Sequence, residues 1–287
     1  MPSVVANGIE MHYVEAGGGV PLILVDNAMV SSNPIWAGHP SAYRTHLDAF
    51  AEHFHVVLPD NRGSGQTVHP GGPISHRLLA DDLIAMIDAL GLDRPMICGF
   101  SDGAEVASIV GIRSPASVRA IVNHSGYELF NPDPQAPSIV LTRQMLGGHP
   151  DATHADLAAL TALAEQVDEL RVLCERMSLD HDAAQGAGHW QHLLGLTYER
   201  ISRPHGYTIA DLDVIIAPTL VLVGDRDPFC SVEEAAAFAR ALPDGELAVL
   251  PGTDHVLDAA SVRVAIDFFR RRLDDPVHSS SRAAATH

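Results

Sequence analysis

Two kinds of apolar pattern alternate along the chain. Pro21–Val25 and His55–Leu58 are short apolar runs, the mark of strands buried on both faces, and Met96–Phe100, Ala120–Asn123, Pro218–Val223 and Glu246–Leu250 read as further strands. Between them lie stretches with helical spacing. Residues 41–53 carry Tyr43, Leu47 and Phe50, and Ser75–Leu90 carries Leu78, Leu79, Leu83, Ile84, Ile87 and Leu90, with Gly91 as its stop. Further helices are expected from the serine at 101 to about Arg113, over Ser231–Leu242 and over Ser261–Leu273. Residues 3–15 alternate weakly around Asn7-Gly8 and read as an opening hairpin that ends at Gly17-Gly18-Gly19.

The alternation breaks between Tyr127 and Thr208. Asn131-Pro132-Asp133-Pro134-Gln135-Ala136-Pro137 interrupts it, and the apolar spacing from there to residue 208 is helical, around 138–147, 155–178 and 188–202. The expected organisation is an α/β core over residues 1–126 and 209–273, with an inserted helical cap over 127–208. A polar, small-residue tail over 274–287 reads as disordered. Strands alternating with helices imply a doubly wound, mostly parallel sheet, whose ligand site lies beyond the carboxyl ends of the strands.

Composition narrows the partners. The 287 residues hold 18 Lys plus Arg against 36 Asp plus Glu, a formal charge of -18, which argues against nucleic acid or an anionic membrane as partner. Three widely spaced cysteines, Cys98, Cys174 and Cys230, form no C-x-x-C and fit a reducing cytoplasm better than a disulfide framework. The first residues lack the basic and apolar regions of a signal peptide, and no apolar stretch is long enough to span a bilayer. A cytoplasmic protein acting on a small molecule is expected, and the sequence leaves a homodimer open.

The chemistry sits at strand ends. Met96–Phe100 runs into Gly99-Phe100-Ser101-Asp102-Gly103 and then into small, helix-compatible residues. A serine at such a strand-to-helix turn is held out of the sheet, and the residue after it can donate its backbone N–H to an oxyanion. Gly224-Asp225-Arg226-Asp227 ends one later strand, and Gly252-Thr253-Asp254-His255 ends the next. Serine is a weak nucleophile until an imidazole takes its proton, and that imidazole needs a carboxylate on its other nitrogen. Ser101, Asp227 and His255 would meet at one sheet edge.

These elements, with Asp60-Asn61-Arg62-Gly63-Ser64-Gly65, resemble the α/β-hydrolase superfamily over residues 8–126 and 209–273. The resemblance implies an eight-stranded sheet and points to Asp227 over Asp225 as the triad acid, Asp225 being otherwise a turn residue. The family usually carries His-Gly after its third strand, where this chain has Asp26-Asn27-Ala28. Ala28 then inherits the second oxyanion N–H beside that of Asp102, and Asn27 is expected to take the left-handed backbone that Gly would supply. A carboxylate at Asp26 must point away from the oxyanion or be neutralised.

Seventeen histidines raise a metal reading, but His189 and His192 have no acidic or Cys ligand at a diagnostic spacing, so neither a metal nor a cofactor is expected. His124 and Glu128 fall where the cap begins. With Asn27, Met145, Met177, His189 and Trp190 they are candidate pocket residues, with packing or a polar contact as the bland alternative for each. The expected function is a serine hydrolase cleaving a carboxylic ester, lactone or thioester of a small to medium, partly apolar molecule. Two other classes stay open on the same fold: cofactor-free chemistry such as C–C cleavage, oxygenation, cyclisation or acyl transfer, and a ligand-binding receptor. The poised nucleophile favours an enzyme, and serine at 101 speaks against dehalogenase or epoxide hydrolase chemistry.

Overall fold

A computed structural model describes residues 1–147 and 156–273. Eight strands, β1 (Ser3–Ala6), β2 (Ile9–Gly17), β3 (Pro21–Val25), β4 (His55–Pro59), β5 (Met96–Phe100), β6 (Ile121–His124), β7 (Thr219–Gly224) and β8 (Gly245–Leu250), form one sheet of order β1-β2-β4-β3-β5-β6-β7-β8. β1 pairs antiparallel with β2, and β2 with β4; every other pairing is parallel. The opening hairpin turns on Asn7 and Gly8, both at positive φ (45° and 77°), as a tight two-residue turn requires.

The continuous apolar runs have a simple cause. Successive side chains of a strand point to opposite faces, so a strand covered on both sides has no position facing water and is mostly apolar. In β3, Ile23 and Val25 face one core with Val57, Ile97, Val106 and Phe238, whereas Leu22 and Leu24 face the other with Phe50, Phe54, Phe268 and Phe269. The helices of the core are α1 (Leu47–Ala51), α2 (His76–Ala89) and α3 (Asp102–Arg113). α2 starts where the Ser75 hydroxyl accepts the Leu78 N–H (3.1 Å), and Gly91 follows its end at φ 63°. The helical spacing over residues 41–53 does not give one helix. A 3₁₀ turn at Tyr43–Thr45 precedes the five-residue α1, and His46 between them leaves helical backbone at φ -115° and ψ 9°; the Tyr43 N–H is bound to the Asp26 carboxyl (2.9 Å).

Between β6 and β7 the described residues form α4 (Pro137–Gly147), α5 (Leu157–Ala164), α6 (Asp168–Met177), α7 (Ala183–Gln185) and α8 (His189–Ile201), with a π turn at Ser178–Asp182. The stretch expected as one helix from 155 to 178 is thus two, broken at residues 165–167. α9 (Val232–Ala241) and α10 (Ala259–Leu273) complete the chain. The expected tail at 274–287 lies outside the described residues. No helix among the described residues is long and apolar enough to cross a membrane.

Buried polar groups fasten the inserted helices to the core. Asp180 accepts bonds from Ser31 Oγ (2.5 Å), Asn33 Nδ2 (2.9 Å) and Trp36 Nε1 (2.7 Å). His181 Nδ1 takes the Gly65 N–H (2.9 Å), and Gln185 Nε2 donates to the carbonyls of Gly63 (3.0 Å) and Gly65 (2.9 Å). The Asp60–Gly65 loop is therefore a docking element, and its Arg62 is anchored on Asp82 (Nε to Oδ2, 2.8 Å).

Candidate active site

Ser101 stands between β5 and α3 at φ 55° and ψ -129°, a conformation ordinary L-residues avoid. Two contacts show why glycines flank it. A Cβ at position 99 would lie 2.3 Å from the Gly103 carbonyl, and one at position 103 would lie 2.1 Å from the Val25 carbonyl. The turn is pinned by Ser101 N–H to the His124 carbonyl (2.9 Å) and Ala104 N–H to the Ser101 carbonyl (2.8 Å).

His255 Nδ1 lies 2.8 Å from Asp227 Oδ2. The other oxygen of Asp227 accepts the N–H groups of Phe229 (2.9 Å) and Cys230 (3.1 Å), which fixes the carboxylate plane. Burial would raise the Asp227 carboxyl, but the bond to His255 outweighs it and holds the group below its ordinary value. The His255 ring is flanked by Phe100 and Phe229, each 4.9 Å away between centroids. Asp225 does different work: its Oδ1 accepts the Gly252 N–H (2.6 Å) and ties two strand-end loops together.

Ser101 and His255 open into one cavity of about 560 Å³. Its walls from the inserted helices are mainly apolar, with Leu141, Leu170, Leu173 and Ile201, and Phe229 closes the side near His255. Thr197, 1% exposed, lines it with a hydroxyl that has no partner among the described residues. Asn27 and Glu128 also line the cavity. Four further candidates do not. His124 is buried beneath the ring of Phe100 (4.9 Å between centroids), and burial, then the neighbouring His255, pushes it down to about 3. Met177 is fully buried among Trp36, Leu193 and Tyr198, and Trp190 packs on the same cluster. His189 Nε2 meets the Gly63 carbonyl at 2.8 Å and serves docking. The Met145 side chain lies outside the described residues.

The loop after β3 departs from expectation in one respect. Asn27 does not adopt a left-handed backbone; its Oδ1 instead accepts the Met29 N–H (3.0 Å) and closes the turn from the side chain. Asp26 points away from the cavity toward Tyr43 N–H, its Oδ2 without a partner among the described residues. Burial, reinforced by Asp60 and opposed by the Tyr43 N–H bond, pushes it up to about 8, so it is neutral at pH 7.

Around Ser101 lies a polar network absent from the sequence reading. Asp102, 7% exposed, takes Arg200 Nε on Oδ1 (3.1 Å), Arg200 Nη2 on Oδ2 (2.7 Å) and His76 Nε2 on Oδ1 (2.6 Å). Burial would raise this carboxyl; Arg200, then His76, holds it well below the carboxylate range. Glu105, fully buried, accepts the Leu129 N–H (2.8 Å) and meets His205 Nε2 (2.9 Å). Burial and then Glu105 push Glu128 up to about 8. Asp227, Cys230 and His255 bring three potential ligand atoms within 4.8 Å of one another. Burial and the surrounding carboxylates push the Cys230 thiol well above its ordinary value, and its Sγ lies 3.3 Å from Glu128 Oε2.

The alpha/beta hydrolase fold family matches residues 36–257. The chain belongs to this family. Among relatives, this α/β hydrolase is 25% identical over 262 residues to a pimeloyl-[acyl-carrier protein] methyl ester esterase of Nitrosospira multiformis, covering 85% of this chain and 91% of that one. It is 35% identical over 101 residues to a soluble epoxide hydrolase of a Corynebacterium species; this match spans 35% of this chain and only 32% of that protein. A solved meta-cleavage product hydrolase from Pseudomonas fluorescens IP01 shares the fold with a TM-score of 0.72 at 18% identity, over 94% of this chain and 98% of that one. The protein is an enzyme, a hydrolase.

Proposed function

We propose that this α/β hydrolase is a serine hydrolase that cleaves a carboxylic ester, lactone or thioester of a small to medium, partly apolar molecule. The observation that carries the reading is the single cavity into which a strained Ser101 and an Asp227-bound His255 both open. Ser101 Oγ attacks the carbonyl carbon while His255 takes its proton. Asp227 holds the tautomer and steadies the imidazolium. The N–H groups of Ala28 and Asp102 receive the oxyanion. Collapse expels the alcohol or thiol, protonated by His255, and leaves an acyl-enzyme. Water, deprotonated by His255, then releases the acid and restores Ser101. The apolar wall of Leu141, Leu170, Leu173 and Ile201 suits a substrate with an apolar body, and Thr197 and Glu128 offer it polar contacts. The free thiols Cys98, Cys174 and Cys230 accord with a reducing compartment.

The test is turnover of short p-nitrophenyl esters together with covalent labelling by a fluorophosphonate. Ser101→Ala is expected to abolish labelling and to lower kcat by ~10³-fold or more, with the fold intact. Labelling that survives Ser101→Ala, or near-wild-type turnover, would remove Ser101 as nucleophile.

A further inference from the structure

The residue after the nucleophile poses an electrostatic problem. Asp102 is an ionised carboxylate directly beside Ser101, and its Oδ2 lies 3.4 Å from the N–H of Ala28. That amide is one of the two donors assigned above to the oxyanion. A carboxylate that takes it competes with the oxyanion for the same hydrogen and repels the charge that develops there. At 3.4 Å the contact is long for an N–H···O bond, so the amide is only loosely held.

The reason is visible on the same oxygen. Arg200 Nη2 sits 2.7 Å from Oδ2, while Arg200 Nε and His76 Nε2 take Oδ1. Arg200 comes from the last turn of α8, ninety-eight residues further along the chain, and is 4% exposed. A two-point guanidinium grip is the strong, oriented form of this interaction. It neutralises the carboxylate and gives Oδ2 a closer, charged partner on α8 than the Ala28 N–H.

We infer that Arg200 is a positioning residue for the oxyanion hole: by holding Asp102 it leaves the Ala28 N–H available to the oxyanion. Docking of α8 on the core is then a condition of catalysis as well as of pocket shape, because the inserted helices supply the counter-charge for a carboxylate beside the nucleophile. The inference rests on the serine-hydrolase reading and deepens it.

The test uses the full chain and two inhibitors of one shape, a trifluoromethyl ketone and the matching methyl ketone. The first adds Ser101 Oγ to its carbonyl carbon, with the proton passing to His255, and presents a hemiketal oxyanion to the hole; the second binds without one. Arg200→Gln is expected to lower kcat on p-nitrophenyl acetate by ~10–100-fold with KM little changed, less than the ~10²–10³ that follows loss of a whole oxyanion donor. Affinity for the trifluoromethyl ketone should fall in parallel and that for the methyl ketone should hold. Removing the competing carboxylate as well, in Asp102→Ala/Arg200→Gln, should regain most of the lost kcat. Equal weakening of both ketones, wild-type kcat in Arg200→Gln, or no recovery in the double variant would each overturn the inference. Should Arg200→Gln not fold, Arg200→Lys keeps the charge without the two-point grip. It should still lose trifluoromethyl ketone affinity several-fold, and wild-type affinity there would overturn the inference. A wild-type protein that fluorophosphonate does not label would sink the hydrolase reading itself. A labelled wild type with indifferent Arg200 variants would sink this inference alone.

Discussion

Asp26 occupies the position where the family usually has histidine, and its burial makes a measurable demand on folding. The side chain is 2% exposed, with one oxygen on Tyr43 N–H and the other without a partner among the described residues. Its carboxyl is pushed from an ordinary 3.8 up to about 8, chiefly by burial. The folded chain therefore keeps a proton that the unfolded chain releases above pH 4. A carboxyl raised on folding contributes stability that is full below the unfolded value and is lost as pH climbs toward the folded one. Here the loss runs from about pH 4 to about pH 8. Asp26→Asn replaces the protonated carboxyl with an isosteric amide that does not titrate. The amide keeps its acceptor on Tyr43 N–H, and any cost of placing NH₂ where Oδ2 stood is the same at every pH. Between pH 5 and pH 7 the wild type should lose about 3 kcal/mol relative to the variant, at ~1.4 kcal/mol per pH unit. Urea unfolding of both proteins at pH 5, 6 and 7 and constant ionic strength reads this as a gap in midpoint that narrows or reverses with pH, at unchanged m. Parallel pH profiles for the two proteins would show that Asp26 does not hold its proton at neutral pH. It would then stand as an anion close to the oxyanion loop.

Two other substitutions separate roles that look alike in sequence. Asp227→Asn should lower kcat by ~10³-fold or more, since it removes the carboxylate on His255 Nδ1, whereas Asp225→Asn should chiefly lower Tm by loosening the bond to Gly252 N–H; the reverse ranking in kcat would move the acid to Asp225. Leu173→Ala should shift relative kcat/KM across an acyl-chain series by ~1–3 kcal/mol, while Trp190→Ala should lower Tm and leave that profile unchanged. A selectivity change in Trp190→Ala alone would return that ring to the cavity wall.

Much of the architecture was legible because it is written in short-range pattern. A strand covered on both faces is apolar at nearly every position, so β3, β4 and β5 announce themselves, and Gly91 and Asn7-Gly8 mark ends that only particular backbone conformations can make. The turn at Ser101 was legible for a related reason. Gly99 and Gly103 are demanded by backbone within five residues of Ser101 and by the neighbouring strand, and strand-end positions brought Asp227 and His255 to the same sheet edge.

Periodicity also showed that the inserted segment is helical, but not what each helix face meets. Trp190 and Met177 turn toward Trp36, and the cavity takes Leu141, Leu173 and Thr197. The same limit hid Arg200 and His76 from the sequence. Their pairing with Asp102 spans separations of 98 and 26 residues, and nothing local distinguishes a buried, paired arginine from a solvated one on a helix. Local sequence determined the backbone, because steric and burial demands act over a few residues. Only the tertiary structure decided the electrostatics around Ser101, because a buried charge is defined by the partners that folding brings to it.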